Sequence, residues 1–194
     1  MALPDKPPHS PAALRLYHGS DVAIEHPDIA FNTGFADLGQ GFYLTDNYAG
    51  ARSRAYLRSR RMGSPAGIVS VFEFDETFVP WATWGREAPT LPDKARGPRF
   101  GLRFEESRDG IIAWANYIVA CRQGLTELAG LGNPVIVRGW IATEEIEMLY
   151  AGFATAEEIA ELLDPDKLLV QYCLRDQQLI DQALTFVRAE VLTI

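Results

Sequence analysis

The stretch Leu38-Gly39-Gln40-Gly41-Phe42-Tyr43-Leu44-Thr45-Asp46 decides how the chain is organised. Two glycines are followed by an aromatic pair and by a short apolar run that stops at Thr45-Asp46. This pattern predicts a tight turn that leads into a strand, because glycine permits a positive φ or a close backbone approach. Thr45 or Asp46 can then cap a helix over about 47–62. Tyr43 would present a flat ring and a hydroxyl group at a fixed place.

The composition is that of a globular protein. The chain has 194 residues, of which 47% are hydrophobic and 23% charged, so we expect one domain over residues 14–194 after a proline-bearing, flexible N-terminal arm, residues 1–13. The net charge of −8 argues against broad electrostatic binding to nucleic acid or to an anionic membrane. Cys121 and Cys173 lack a metal-type spacing, which favours two buried free thiols over a disulfide.

The sequence also bears on secretion and membrane insertion. The N-terminus carries no apolar segment of the kind found in secretory signals. No apolar run in the sequence is long enough to span a bilayer. We therefore expect a cytoplasmic protein with no membrane partner, and export without a cleaved signal stays open.

The remaining pattern mixes strands and helices without a regular alternation, which favours an α+β fold over a parallel doubly wound one. Alternation predicts a first strand over 14–17 that ends at a turn beginning with His18. Residues 75–103 hold four prolines and no clear period, which predicts a lid or binding loop. The other predicted strands are 67–74, 134–142, 167–174 and 186–194. The other predicted helices are 105–122, 156–163 and 176–184.

Some polar residues stand out from this pattern. Gln171 lies within an apolar strand, where an amide without partners costs about 1–3 kcal/mol. It is either a satisfied core amide or a group that points into a ligand cleft, and His18 could likewise simply cap a turn. The arginines of residues 52–61 are either a solvated helix face or the edge of a groove for phosphates. Hydrolase, metalloprotease and phosphate-loop motifs are absent from the sequence.

Taken together, these motifs resemble the ADP-ribosyltransferase superfamily. His18-Gly19-Ser20 resembles the histidine motif at the end of its first core strand, and Gly39 to Asp46 resembles its glycine-tyrosine strand. More narrowly, residues 14–187 are similar to a poorly characterised bacterial family of that superfamily. The further matching segments are Trp114–Ile118 with Arg122, Val135–Ala142 and Gln171–Leu174.

The resemblance implies a split, mostly antiparallel β-sheet core with NAD in its cleft, flanked by helices. His18 would hold a ribose hydroxyl and Gly19 the nicotinamide carboxamide. Tyr43 would stack on the nicotinamide ring, and Tyr56 would form a second wall. The whole cofactor-binding set that we expect is His18, Gly19, Ser20, Gly41, Phe42, Tyr43, Tyr56 and Arg52.

The resemblance also implies a catalytic set of His18, Tyr43 and Gln171. The family usually has glutamate at the last position, and a neutral amide stabilises a cationic ribose less than a carboxylate does. Glu73 is the best substitute, followed by Glu144, Glu145 and Glu147. We expect an NAD-dependent mono-ADP-ribosyltransferase, such as a bacterial toxin or effector. The alternatives are a catalytically weak NAD-binding or interaction module, an NAD glycohydrolase, and a transferase directed at nucleic acid.

The expected partners follow from that activity. NAD is the substrate, and a macromolecule accepts the ADP-ribose, with protein favoured over nucleic acid. A toxin of this kind could also have a neutralising antitoxin. The sequence names neither the acceptor nor the modified residue.

Overall fold

The computed structural model describes residues 13–31, 36–89, 99–125 and 133–193. Within these ranges the chain forms an α+β fold, as predicted. The strands are β1 (Ala13–Ser20), β2 (Phe42–Thr45), β3 (Gly67–Asp75), β4 (Trp81–Trp84), β5 (Gly101–Phe104), β6 (Ile136–Trp140), β7 (Val170–Leu174) and β8 (Leu184–Leu192). The helices are α1 (Tyr48–Met62), α2 (Arg108–Arg122), α3 (Glu144–Tyr150), α4 (Ala156–Leu162) and α5 (Gln177–Ala183). The predicted N-terminal arm lies outside the described residues except for Ala13.

All the described strands belong to one mixed sheet in the order β4-β5-β6-β7-β2-β1-β3-β8. The pairs β4–β5 and β5–β6 are parallel, and every other neighbouring pair is antiparallel. Parallel neighbours need a long crossover, and α2 supplies it between β5 and β6. The parallel edge β4-β5-β6 differs from the mostly antiparallel core that the family resemblance implies.

Helices pack on both faces of the sheet. On one face, Trp114 and Ile118 of α2 pack with Val137, Cys173 and the apolar side of α4. On the same face, Ala51 and Ala55 of α1 pack against β3. On the other face, α5 packs over a core formed by β1, β2, β3 and β7.

Most of the predicted elements are found, with boundaries that move by a few residues. Helix α3 was not predicted, and α1 is capped by Asn47 rather than by Thr45 or Asp46. A further exception is the region 75–103, which we predicted to be one loop. There, Trp81–Trp84 and Gly101–Phe104 form strands. Each is only four residues long and pairs with a strand that is distant in sequence, so neither leaves a local period in the sequence. Residues 90–98 of this region lie outside the described part of the chain.

The first strand is also longer than predicted. It continues through His18, Gly19 and Ser20, because β3 pairs with it along its whole length. Cys121 and Cys173 are both buried free thiols, as predicted. Within the described ranges, no helix has the length and apolar character needed to cross a membrane.

Candidate functional site

The candidate residues lie on neighbouring strands at the centre of the sheet. His18 is on β1, Tyr43 is on β2 and Gln171 is on β7, and these strands are adjacent in the order β7-β2-β1. The register places Gln171 opposite Thr45, two residues beyond Tyr43. Three motifs that are far apart in the sequence therefore meet in one part of the fold.

The sheet is nearly divided where β1 meets β2. Within the described residues, these strands share the single register pair Tyr17–Thr45, whereas β1 pairs with β3 from Ala13 to Ser20. Among the described residues, 18–20 thus have no register partner on the β2 side. Main-chain groups of an antiparallel strand point alternately to its two neighbours, so those of residues 18–20 that point toward β2 lie outside the β1–β2 ladder.

His18 bridges this junction. Its Nδ1 lies 2.7 Å from the carbonyl oxygen of Tyr43, and its ring stacks on Phe42 with centroids 4.7 Å apart. A carbonyl only accepts hydrogen bonds, so Nδ1 carries the hydrogen and Nε2 is the acceptor of the neutral ring. Burial is the main cause that lowers the pKa of His18, and Arg54 and Arg58 lower it further, against the hydrogen bond to Tyr43. The neutral form is therefore favoured near pH 7.

Tyr43 is tied into its own turn. Its hydroxyl group donates to the carbonyl of Gly39 at 2.7 Å and accepts from the N–H of Leu38 at 2.9 Å. Burial is the main cause that raises the pKa of Tyr43 far above its ordinary value. The hydroxyl group thus holds the 38–43 turn together, and only the ring remains to contact a ligand.

Gln171 is 8% exposed, and one of its two polar side-chain atoms has a hydrogen-bond partner among the described residues. Its Nε2 donates to the carbonyl oxygen of Trp140 at 2.9 Å. No described residue donates a hydrogen bond to its Oε1. The amide nitrogen is thus fixed in the core, and the oxygen has no donor among the residues that the structure describes.

The three side chains do not all point to the same face of the sheet. Phe42 belongs to the core that includes Leu16, and it stacks on His18. Tyr43 and Cys173 belong to the opposite core, and alternation places Gln171 on that same side. A ligand that contacts all three candidate residues must therefore cross the β1–β2 junction.

The candidate residues of helix α1 lie on two sides of the helix. Arg52 and Tyr56 follow Tyr48 at four-residue spacing, and Tyr48 donates a hydrogen bond to Glu190 of β8. The structure therefore places both predicted NAD contacts, Arg52 and Tyr56, on the β8 side of α1. Tyr56 is 41% exposed, and its hydroxyl accepts from Arg60 at 3.0 Å.

Arg54 and Arg58 lie on the other side of α1, toward the end of β1. The Nε of Arg58 donates to Asp21 at 3.1 Å, and Asp21 also accepts from Ser64 at 3.2 Å. Burial would raise the pKa of Asp21, but the hydrogen bonds from Arg58 and Ser64 outweigh it and lower the pKa. Both belong to the arginines of residues 52–61 for which the sequence left a phosphate groove open, and four-residue helical spacing places them together.

The other predicted contacts have structural roles in the described fold. A Cβ on Gly41 would lie 2.5 Å from the carbonyl oxygen of Leu174, so this glycine allows β2 to approach β7. A Cβ on Gly19 would lie 2.0 Å from the carbonyl oxygen of Ala51, so that glycine seats α1 on β1. Ser20 is 6% exposed and donates to Asp21 at 3.3 Å.

The turn that carries Tyr43 is anchored from outside as well. Arg122 of α2 donates from Nη2 and Nε to one oxygen of Asp37, at 2.7 and 3.1 Å. Its Nη1 donates to Glu147 of α3 at 2.9 Å. Burial would lower the pKa of Arg122, but its carboxylate partners outweigh that and raise it. One arginine thus connects α2, α3 and the turn.

The glutamates considered as substitutes for Gln171 lie elsewhere. Glu73 on β3 accepts from Arg15 at 3.3 Å. Glu144, Glu145 and Glu147 are on α3, where Glu147 pairs with Arg122. None of them lies on the strands β1, β2 and β7 that carry the candidate site.

A groove of about 320 Å³ also lies apart from these residues. It is lined by Thr77, Phe78, Val79, Pro80, Arg99, Val135, Leu179 and Gln182. None of the predicted site residues contributes to its wall.

Comparison with known proteins gives one match. The model of a family described as a protein of unknown function (DUF3990) matches residues 14–83, less than half of the chain. The matched segment includes His18, Tyr43 and helix α1, and it ends before Gln171. No curated protein and no solved structure matches the chain.

Proposed function

We propose that the protein is an NAD-dependent mono-ADP-ribosyltransferase with an ADP-ribosyltransferase-like split core. The observation that carries the proposal is the meeting of His18, Tyr43 and Gln171 on β1, β2 and β7, where the sheet is nearly divided. The family resemblance implies that these motifs surround one cleft. The end of the β1–β2 ladder at Tyr17 and Thr45 supports the same placement.

The available hydrogen-bonding groups fit a dinucleotide. Nε2 of neutral His18 can accept from a ribose hydroxyl group, and Oε1 of Gln171 can accept from another. Arg54 and Arg58 supply positive charge on the His18 side of α1, which suits a pyrophosphate. The Tyr43 ring supplies a flat surface whose orientation is fixed by the turn.

The proposed reaction breaks the bond between nicotinamide and ribose and transfers ADP-ribose to a macromolecule. Positive charge develops on the ribose in the transition state, and fixed dipoles or charges aimed at it lower the barrier. Gln171 offers a dipole fixed by Trp140, without the full charge of a carboxylate. Single transfer to a strong nucleophile therefore fits this site better than chain elongation.

The test is nicotinamide release from NAD, measured with and without cell lysate as a source of acceptor. We expect release by the wild type, loss of release in His18→Ala and in Tyr43→Ala, and no change in Arg86→Gln, since Arg86 is exposed and lies off β1, β2 and β7. Gln171→Glu should release nicotinamide faster than the wild type. A wild type that neither binds NAD nor releases nicotinamide contradicts the proposal.

A second function is favoured by the chemistry of Gln171. A protein with a neutral, core-anchored amide at this position can bind NAD and turn it over very slowly, as a binding or interaction module would. Calorimetric binding of NAD without nicotinamide release would select this function. Free ADP-ribose without a labelled acceptor would select an NAD glycohydrolase.

A further inference from the structure

Helix α1 concentrates positive charge in an acidic protein. The chain has 18 Lys and Arg residues and a net charge of −8. The 15-residue helix Tyr48–Met62 contains five arginines and no acidic residue. All five are exposed: Arg52, Arg54, Arg58, Arg60 and Arg61.

Ion pairing and helix stability explain only part of this charge. Within the described part of the chain, only Arg58 of this group has a carboxylate partner, Asp21. Cations near a helix C-terminus interact favourably with the helix dipole, which suits Arg60 and Arg61 in the last turn. Arg52 and Arg54 lie in the first half of α1, where the helix dipole does not stabilise a positive charge.

Apolar and aromatic groups are interleaved with these arginines. Arg52, Tyr56 and Arg60 follow one another at four-residue spacing on the surface of α1. The Arg60 guanidinium carbon lies 5.7 Å from the centre of the Tyr56 ring, within cation–π distance. Tyr56 is 41% and Leu57 is 63% exposed, so the surface offers stacking area as well as charge.

We infer that single-stranded nucleic acid binds along this face of α1. Arginine forks match phosphate oxygens, and an exposed aromatic ring stacks on unpaired bases. An acidic protein segment would use the arginines but would leave Tyr56 and Leu57 without a matching group. A duplex would satisfy the charge, but its paired bases are not available for stacking.

This surface extends to the candidate site. Arg54 and Arg58 continue it around α1 toward Asp21 and the end of β1, next to His18. A strand that continues from the face of Arg52, Tyr56 and Arg60 around α1 to Arg54 and Arg58 would therefore reach the proposed NAD site, which favours nucleic acid over protein as the acceptor class. The acceptor assignment rests on the proposed function, whereas strand binding does not.

The test is fluorescence anisotropy with a labelled 15-nucleotide single strand, in DNA and RNA forms, on the full chain. If three phosphates are neutralised, affinity falls roughly 20-fold between 50 and 200 mM salt. The Arg52→Gln, Arg60→Gln, Arg61→Gln triple variant should lose most of the binding. The control triple variant Arg15→Gln, Arg86→Gln, Arg103→Gln changes the net charge equally at exposed positions outside α1 and should bind like the wild type.

Tyr56→Ala separates nucleic acid from other polyanions. Loss of stacking should weaken strand binding by about 5-fold or more, with thermal stability nearly unchanged because Tyr56 is exposed. Equal loss of binding in both triple variants overturns the inference. The inference is also overturned if a polyglutamate peptide binds with the same affinity as the single strand and Tyr56→Ala has no effect, because α1 would then be a site for acidic protein. Strand binding without nicotinamide release would contradict the proposed function but not this surface.

Discussion

Removing the Tyr43 hydroxyl group separates the structural role of this residue from its proposed role in binding. In Tyr43→Phe the ring remains, while Gly39 and Leu38 lose hydrogen bonds of 2.7 and 2.9 Å. Each bond contributes about 0.5–1.5 kcal/mol net, so we expect a loss of about 2 kcal/mol in the free energy of unfolding. For a chain of this size that corresponds to a fall in Tm of roughly 4–8 °C.

Urea unfolding followed by circular dichroism measures this loss. Tyr56→Phe is the matched control, because among the described residues its hydroxyl group bonds to the exposed Arg60 alone, and we expect a change below about 0.5 kcal/mol. NAD affinity measured well below the Tm should change little in Tyr43→Phe and should fall sharply in Tyr43→Ala. A Tyr43→Phe variant as stable as the wild type would refute the hydroxyl anchor, and a sharp loss of NAD affinity in it would show that the hydroxyl contacts the ligand.

Other substitutions test neighbouring contacts. Gly19→Ala in β1 places a Cβ 2.0 Å from the carbonyl oxygen of Ala51 in α1, so it should destabilise the protein by about 1–3 kcal/mol in urea unfolding. Gly50→Ala within α1 has space for the Cβ and should not destabilise the protein. Arg122→Gln should lower the free energy of unfolding by about 1.5–3 kcal/mol, because the Arg122 side chain is only 15% exposed. Glu147→Gln should lower it by less than about 0.5 kcal/mol, because the Glu147 side chain is 64% exposed. Equal losses in the two variants would contradict this expectation. Burial lowers the pKa of His18, so the unfolded chain binds its proton more readily, and stability should fall as pH drops below about 6.5. His18→Asn should flatten the pH dependence of Tm between pH 5.5 and 7, and an unchanged slope would contradict this assignment.

Local signals in the sequence predicted local structure well. A helix was predicted over 156–163, and α4 begins at Ala156, where Thr155 and Glu158 form a capping box with both of its reciprocal hydrogen bonds present. The glycines of the 38–46 stretch predicted a turn and a close approach, and Gly39 has a φ of +87° while Gly41 lies against β7. In these cases the residue type is required by neighbours a few positions away in the sequence or by a single backbone contact.

Features that depend on distant partners were not predicted. The strands β4 and β5 exist because they pair with each other and with β6, and β1 continues through a polar segment because β3 supports it. The partners of the Tyr43 hydroxyl group depend on the path of the turn, which no spacing rule fixes. The side of α1 on which each arginine lies follows from helical spacing, but the identity of the neighbouring strand does not.

The most direct test of the proposed NAD site is a calorimetric titration of NAD into the wild type and His18→Ala, with Arg86→Gln as control. We predict binding of one NAD per chain to the wild type and to the control. His18→Ala should bind at least about 10-fold more weakly, since it loses a hydrogen bond to a ribose hydroxyl and the bridge to Tyr43. Absence of binding by the wild type, or equal affinity of His18→Ala, would contradict an NAD site at the β1–β2 junction.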